Sequence, residues 1–222
     1  MHTADRDQIR SFGVSVGVGY VLLSVAYAGV LAVGLGSLAF RDDPIGDPYF
    51  TVLEILILLM CPMLVALFAV IHLRAPNSRR GFSLTALVFA ALTAGLTASV
   101  HFAILTLSRA PAFANMAGHD LVFSFHWPSL VYALDILAWD GFFAVAALCA
   151  ARAVHPGPLS SCVSALFLGS GVLALAGLTG VVLNDMQVRN IGVFGYVGVF
   201  TVAVFVYVLH LRRSLVADWE QA

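Results

Sequence analysis

The chain contains no lysine, because all eleven of its basic residues are arginines. This absence excludes functions that need a lysine amine, such as a Schiff base or the phosphate-binding lysine of a P-loop. Charge is also scarce: 10% of the 222 residues are charged, and 61% are hydrophobic. Soluble domains carry about a quarter charged residues, so the composition predicts an integral membrane protein. The net charge of −1 gives no reason to expect a nucleic-acid partner.

Several reactive motifs are missing as well. The three cysteines, Cys61, Cys149 and Cys162, form no CxxC pair, and none lies in a predicted outer loop. We therefore expect neither a structural disulfide nor disulfide exchange. The chain has no HxxxH or HExxH motif, which excludes the usual histidine-box and zincin sites. The string "LGSG" at 168–171 lacks the first glycine of the GxSG motif of intramembrane serine proteases.

Long apolar segments separated by polar breaks predict the fold. A helix that crosses a bilayer needs about 20 mostly apolar residues. We predict an all-α polytopic membrane helix bundle that forms a single transmembrane domain over residues 1–222. Its six transmembrane spans are expected at about 12–40, 49–73, 82–107, 128–151, 159–183 and 190–211.

The arginine distribution predicts the orientation. If the N-terminus is cytoplasmic, eight arginines fall in inner segments and only Arg41, Arg109 and Arg189 fall in outer ones. Cytoplasmic loops are enriched in arginine, so we expect both termini in the cytoplasm and the protein in the cytoplasmic (inner) membrane. The N-terminal string "MHTADRDQIR" is expected to be a short cytoplasmic tail before the first span.

Two aspartates interrupt the fourth span, "WPSLVYALDILAWDGFF". An aspartate at the centre of a span costs about 2.5–3.5 kcal/mol on insertion scales, so Asp135 and Asp140 are expected to face protein or a polar cavity. At 1.5 Å per residue, Glu54 lies ~8 Å below the outer membrane edge, and His101 and Asp135 each lie ~10 Å below it. Asp140 lies ~18 Å deep, and in an ordinary α-helix it points about 140° away from Asp135.

We therefore predict that three ionisable side chains from three helices, Glu54, His101 and Asp135, converge in one hollow. Glu54, Asp135 and Asp140 are the candidate acid/base groups, and His101 is the candidate proton relay or orienting group. Structural roles stay open for each. Asp140 and His101 are able to serve as interhelical hydrogen-bonding groups, and Glu54 is shallow enough to reach the interface.

Aromatic residues at helical spacing are expected to line this hollow. Tyr20, Ser24 and Tyr27 share one face of the first span, and Tyr132, Asp135 and Trp139 share one face of the fourth. The other candidate binding residues are Tyr196 at similar depth, His126 at the mouth and Arg189 near the outer turn. Arg189 either clamps an anionic group or pairs with Asp185 or Asp120, and we favour the pairing. Residues 108–127 are expected to form a surface helix or a lid.

A metal site built from Glu54, His101, Asp135 and His126 is chemically reasonable, because imidazole and carboxylate suit zinc or iron. These residues are scattered over the chain without signature spacing, however, so we predict no metal or other cofactor.

Two strings, "WPSLVYALDILAWD" at 127–140 and "DMQVRNIGVFGY" at 185–196, add a resemblance. They are similar to a family of bacterial and archaeal multi-pass membrane proteins of about this size that has no established activity. The resemblance covers the C-terminal half best. It implies a fold of about six spans, and it directs attention to Asp185, Gln187, Arg189 and Asn190 at the outer turn.

These observations favour an intramembrane enzyme or binding protein for a lipid-soluble small molecule, with acid/base chemistry of the isomerase, cyclase or hydrolase type. Its expected partners are the lipid bilayer and that lipophilic molecule. Two alternatives stay open: a proton-coupled transporter or channel, and a non-catalytic sensor or assembly subunit. The predicted inner halves of the spans carry no charged residue short of the interface, which favours a one-sided pocket over a route through the membrane.

Overall fold

The computed structural model describes residues 3–40 and 44–219. Within these residues the chain is helical and has no β-strand, and six of its helices are long and apolar enough to span a membrane. The predicted six-helix bundle is thereby confirmed. Arg41, Asp42 and Asp43, of which Arg41 entered the orientation argument, lie outside the described residues.

The helices follow the predicted spans, and the clear differences are in the first helix and at the start of the last one. Helix α1 begins at Thr3 and ends at Gly36, so it includes most of the expected N-terminal tail and stops before residue 40. The helices are α1 (Thr3–Gly36), α2 (Tyr49–Arg74), α3 (Arg80–Thr106), α4 (Pro111–Ala114), α5 (His119–Phe123), α6 (Leu130–Ala153), α7 (Ser160–Leu183) and α8, which begins at Met186 and is described to Trp219.

Two of the spanning helices contain a wider, π-helical segment. In α6 it covers Leu137–Phe143, and in α8 it covers Phe194–Val199. A π-helical turn holds one more residue than an α-helical turn, so residues five apart along the chain come to lie on nearly the same face. These segments change which side chains meet inside the bundle.

One end of the bundle carries the connection 107–129, which contains α4 and α5, and we refer to it as the long-loop end. Trp127 Nε1 donates to Asn184 Oδ1 at 2.7 Å, and Arg109 Nη2 donates to Thr51 Oγ1 at 2.8 Å. These contacts place the α7–α8 turn and the start of α2 at the same end. The predicted surface helix is present here as two short helices.

Aromatic rings close the middle of the bundle. Phe200 contacts Tyr20, Phe68, Phe143 and Phe167, with ring centroids 4.8–6.1 Å apart. All five side chains are less than 2% exposed, and we refer to them as the aromatic layer. Beyond this layer, towards the opposite end, helices approach closely over glycine. An added Cβ at Gly13 would lie 3.0 Å from the Leu211 side chain.

Candidate functional site

A cavity of about 860 Å³ lies between the long-loop end and the aromatic layer. Helices α1, α2, α3, α6 and α8 form its walls, and residues 120 and 123–126 form its rim. Most of the wall is apolar, and the ionisable groups lie together on the side formed by α2, α3, α6 and the start of α8. This arrangement is typical of a site for a largely apolar ligand with one polar group.

The ionisable side chains form a continuous series. Glu54 Oε2 lies 2.7 Å from His101 Nδ1, and His101 Nε2 lies 3.6 Å from Asp135 Oδ1. Arg189 Nη2 lies 3.8 Å from Asp135 Oδ2 and 3.2 Å from Asp140 Oδ2. Acid and base therefore alternate along the series, which offsets part of the cost of burying each charge.

The structure brings together the three residues that the sequence predicted to converge. Glu54 is 3% exposed and His101 is 5% exposed, so the shallow position of Glu54 does not place its side chain at the interface. The side chain of Asp135 is 14% exposed, and all three residues line the cavity. Their proposed roles in acid/base chemistry remain predictions.

The predicted divergence of Asp135 and Asp140 is wrong. Both carboxylates approach the same nitrogen of Arg189, because the π-helical segment adds a residue to the turn between them. Asp140 is fully buried and does not line the cavity. Asp140 therefore has no direct contact with a molecule in the cavity, and its predicted acid/base role would act through Arg189.

Two glycines make room for Asp140. An added Cβ at Gly177 in α7 or at Gly192 in α8 would overlap Asp140 Oδ1. Glycines in membrane helices are usually explained by close packing between helices, and that explanation is incomplete for these two. They form a slot for a carboxylate, and we call the two residues the glycine slot.

Arg189 pairs with Asp135 and Asp140, not with the predicted Asp185 or Asp120. Helix α8 begins at Met186 instead of about residue 190, so Arg189 falls in its first turn, where it is 5% exposed. Asp185 caps that helix by accepting from the backbone N–H groups of Gln187 and Val188. The buried position of Arg189 makes it part of the charged series instead of the surface turn.

The guanidinium of Arg189 lies 5.2 Å from the Tyr132 ring centroid and 5.8 Å from that of Tyr196. These distances are typical of cation–π contacts, which stabilise a partly desolvated cation. Trp139 extends the stack, with its ring centroid 5.1 Å from that of Tyr196.

Every predicted binding residue lines the cavity. Tyr20, a member of the aromatic layer, lies at the deep end of the cavity. Tyr27 is half-buried on the α1 wall, and His126 is exposed at the rim. The other members of the predicted set are Tyr132, Trp139, Arg189 and Tyr196. The aromatic stripe on the first span was thus a usable signal.

Phe125 is a site residue that the sequence analysis missed. Its ring lies 5.3 Å from that of His101 and is tilted by 30° to it, so it covers the imidazole from the rim. Its edges contact Phe50 and Tyr132. The aromatic pair in the string "FSF" at 123–125, inside the predicted lid at 108–127, was the available signal.

The geometry gives no support to a metal centre. Within residues 3–40 and 44–219, no group of three or more histidine, cysteine, aspartate or glutamate side chains is arranged to hold a metal ion. In the predicted set of Glu54, His101, Asp135 and His126, the two ring nitrogens of His101 face two different carboxylates. That arrangement suits proton transfer better than ligation of one ion.

Comparison with known proteins gives no significant match to the chain among family models, curated proteins or solved structures. The resemblance carried by residues 127–140 and 185–196 therefore stays a prediction.

Proposed function

We propose that the protein binds a lipid-soluble small molecule in this cavity and carries out acid/base chemistry on it. The observation that carries the proposal is the Glu54–His101–Asp135 arrangement at the wall of a largely apolar cavity. Placing the three acids Glu54, Asp135 and Asp140 inside a membrane helix bundle costs free energy, and such groups usually serve a function. An oriented histidine with a carboxylate behind it is the common arrangement for moving a proton.

The proton transfers follow from the hydrogen-bonding capacity of each group. When Glu54 is ionised it only accepts, so His101 Nδ1–H donates to it, and in the neutral imidazole Nε2 is then the proton acceptor. His101 takes a proton from the bound molecule at Nε2, and the resulting imidazolium lies between two carboxylates. Returning that proton to a different atom isomerises the molecule, and a proton donated to an alkene starts cyclisation. In hydrolysis, a water molecule attacks the substrate and gives its proton to Nε2, and the imidazolium protonates the leaving group.

Arg189 and Asp140 support this centre. Arg189 Nη2 lies 3.8 Å from the Asp135 oxygen that is not next to His101, and 3.2 Å from Asp140 in the glycine slot, so its charge offsets part of the negative charge of both acids. A positive charge at this place also stabilises an anionic intermediate that forms near Asp135. Phe125 covers the imidazole and restricts water, which preserves the strength of these interactions.

The orientation predicted by the arginines places this cavity in the outer half of the cytoplasmic membrane, with both termini in the cytoplasm. A molecule dissolved in the outer leaflet then reaches the cavity without crossing the bilayer. The location therefore agrees with a lipophilic ligand.

The aromatic layer favours this proposal over a proton-coupled transporter or channel. Transport needs a polar route that opens to both sides of the membrane. Here the ionisable series ends at fully buried Asp140, and the rings around Phe200 fill the space beyond the cavity. A sensor or assembly subunit is supported less well, because the buried acids already have basic neighbours within the chain.

Co-purification tests the proposal. The wild-type protein, Asp135→Asn and Glu54→Gln are purified in parallel, and bound lipids are identified by mass spectrometry against the bulk membrane lipid. Asp7→Asn is the matched control, because Asp7 is an exposed acid at the opposite end of α1. We expect one lipid class to be enriched in wild type and Asp7→Asn, and its amount or its product-to-substrate ratio to change several-fold in the two site variants. If no lipid is enriched in wild type, or if all four proteins carry the same species in the same amounts, the proposal is wrong.

A further inference from the structure

Four buried polar atoms of cavity-lining residues have no hydrogen-bond partner among the described residues: His101 Nε2, Asp135 Oδ1, and Nε and Nη2 of Arg189. The first two, His101 Nε2 and Asp135 Oδ1, face each other. They lie 3.6 Å apart, which is too long for a direct hydrogen bond. Buried polar atoms without partners are rare and often mark the position of a ligand group.

The missing partner is a hydrogen-bond donor. When Glu54 accepts from His101 Nδ1–H, both Nε2 and the Asp135 carboxylate are acceptors. A donor at about 2.8 Å from each of two acceptors that are 3.6 Å apart lies about 2 Å to the side of the line between them. An ammonium group has enough protons to donate to both atoms. A hydroxyl bridges them when His101 is protonated, because it then accepts from Nε2–H and donates to Asp135 Oδ1.

The charge of the site disfavours an anion. The series contains three acids, Glu54, Asp135 and Asp140, and two basic side chains, His101 and Arg189. Even with His101 protonated, the sum is one negative charge. A cationic head group or a proton balances this charge, whereas an added carboxylate or phosphate increases it in a medium of low dielectric constant. Arg189 Nε and Nη2 have no hydrogen-bond partner, but the Asp135 and Asp140 carboxylates lie within 3.8 Å of Nη2 and offset its positive charge.

The apolar part of the cavity is long. On the α1 wall it reaches from Tyr20 to Leu35, which are fifteen residues apart and so about 22 Å apart along the helix. On the α8 wall it is lined by Val193, Val197 and Thr201. The outward face of α1 beside this space is exposed on the bundle surface, as at Val25 and Gly29. An extended hydrocarbon chain fits a space of this shape.

We infer that the ligand is a single-chain amphiphile whose head group is an uncharged or cationic hydrogen-bond donor, a primary amine or an alcohol, which bridges His101 Nε2 and Asp135 Oδ1. This inference rests on the proposed function, because it specifies the ligand of the same cavity. Phe125 lies over the imidazole, so the head group enters as this ring moves aside. The order of affinity is amine, then alcohol, then carboxylate.

Quenching of Trp139 fluorescence tests this order, since Trp139 lines the cavity. Three probes with the same dibrominated dodecyl chain and an amine, a hydroxyl or a carboxylate head are titrated into the purified full-length protein in nanodiscs. Subtracting the signal of Trp139→Phe removes the contributions of the other two tryptophans and of probe dissolved in lipid. We expect the amine and the alcohol to quench Trp139 at concentrations at least tenfold below the carboxylate. In Asp135→Asn, which lacks one acceptor and one negative charge, this ratio falls about tenfold.

Glu54→Gln provides a second variant if Asp135→Asn does not fold, and it also removes one negative charge from the series. Equal quenching by all three heads overturns this inference and leaves the proposed lipid-binding function intact. If none of the three probes quenches Trp139, both are overturned, because the chain itself then does not enter the cavity. Preference for the carboxylate overturns the inference and assigns the site to anionic lipids through Arg189.

Discussion

The half of the bundle at the long-loop end and the half beyond the aromatic layer are built from the same six helices, but they bury their interiors in different ways. The first half encloses a cavity with four members of the charged series at its wall and Asp140 buried behind them. The second half is filled by rings around Phe200 and by close helix contacts over glycine. Helix packing in a membrane depends on such shape complementarity, because lipid supplies no hydrophobic drive between helices.

The two halves of the bundle therefore have different roles. In the filled half, the buried side chains stabilise the fold through packing contacts. In the half with the cavity, the buried charges lie in ion pairs. The cost of removing two charges from water roughly offsets the attraction between them, so these pairs add little stability and are better explained by function. Substitutions should therefore affect stability most in the filled half and ligand chemistry most in the other half.

The largest effect on stability is expected from Phe200→Ala. It removes the central ring of the aromatic layer, and deleting a buried phenylalanine costs about 3–5 kcal/mol. Phe205→Ala is the matched control, because Phe205 lies on the same helix and is 51% exposed. Unfolding in mixed detergent micelles measures both. If the two variants lose the same stability, the aromatic layer is not the structural centre of the bundle.

A smaller but still large loss is expected from Asp140→Ala, at about 3 kcal/mol, because it leaves buried Arg189 with only Asp135 as an acidic partner. The double variant Asp140→Ala/Arg189→Leu should recover part of that loss, since the uncompensated charge is gone. A double-mutant cycle on unfolding free energies measures the coupling. Additive losses would contradict the assignment of Asp140 as the residue that positions Arg189.

Alanine in the glycine slot is expected to cost about 1–3 kcal/mol, because the new methyl group meets the Asp140 carboxylate. Gly192→Ala is compared with Gly198→Ala, which lies on the same helix and whose added Cβ has nothing within 4 Å. Thermal unfolding should separate them clearly. The loss of stability caused by Gly192→Ala should also be smaller when Asp140 is replaced by glycine. An unchanged loss would mean that the helix backbones, not the carboxylate, oppose the methyl group.

The smallest effect is expected at the surface of the long-loop end. The Thr51 hydroxyl, which donates to Asp47 at 2.5 Å, and then Arg109 lower the pKa of Asp47 below its usual value. A lowered pKa stabilises the fold above the unfolded-state value of about 3.9, and this contribution is lost as pH falls through the folded-state pKa. Because Asp47 is exposed, the contribution is at most a few tenths of a kcal/mol.

Unfolding of wild type and Asp47→Asn at pH 7 and at pH 3 measures this contribution. The two proteins should differ slightly at pH 7. The difference should shrink at pH 3, which lies below the unfolded-state pKa of about 3.9, because the wild type then takes up a proton on unfolding. A difference that grows on acidification would contradict the sign of the pKa shift.

Much of the fold could be predicted, because hydropathy and span length are properties of single segments. The six helices follow from apolar runs, and the meeting of Glu54, His101 and Asp135 follows from their common depth in three neighbouring spans. Depth is fixed by the membrane, so counting residues from the membrane edge is informative even without knowledge of the helix order.

The parts that could not be predicted depend on local departures from ideal helices. The π-helical segment in α6 turns Asp140 towards the same partner as Asp135, and counting at 3.6 residues per turn places it on another face. The earlier start of α8 carries Arg189 into the bundle. Gly177 and Gly192 show no pattern that distinguishes a carboxylate slot from ordinary close packing, since the occupant comes from a third helix.

The glycine slot also limits the order in which these positions can evolve. While Asp140 is present, alanine at 177 or 192 meets its carboxylate, so a lineage that gains the methyl group first passes through a destabilised intermediate. A lineage that loses the acid first leaves a small void that alanine then fills. Descendants that keep the aspartate are therefore expected to keep both glycines, whereas descendants without it are free to vary there.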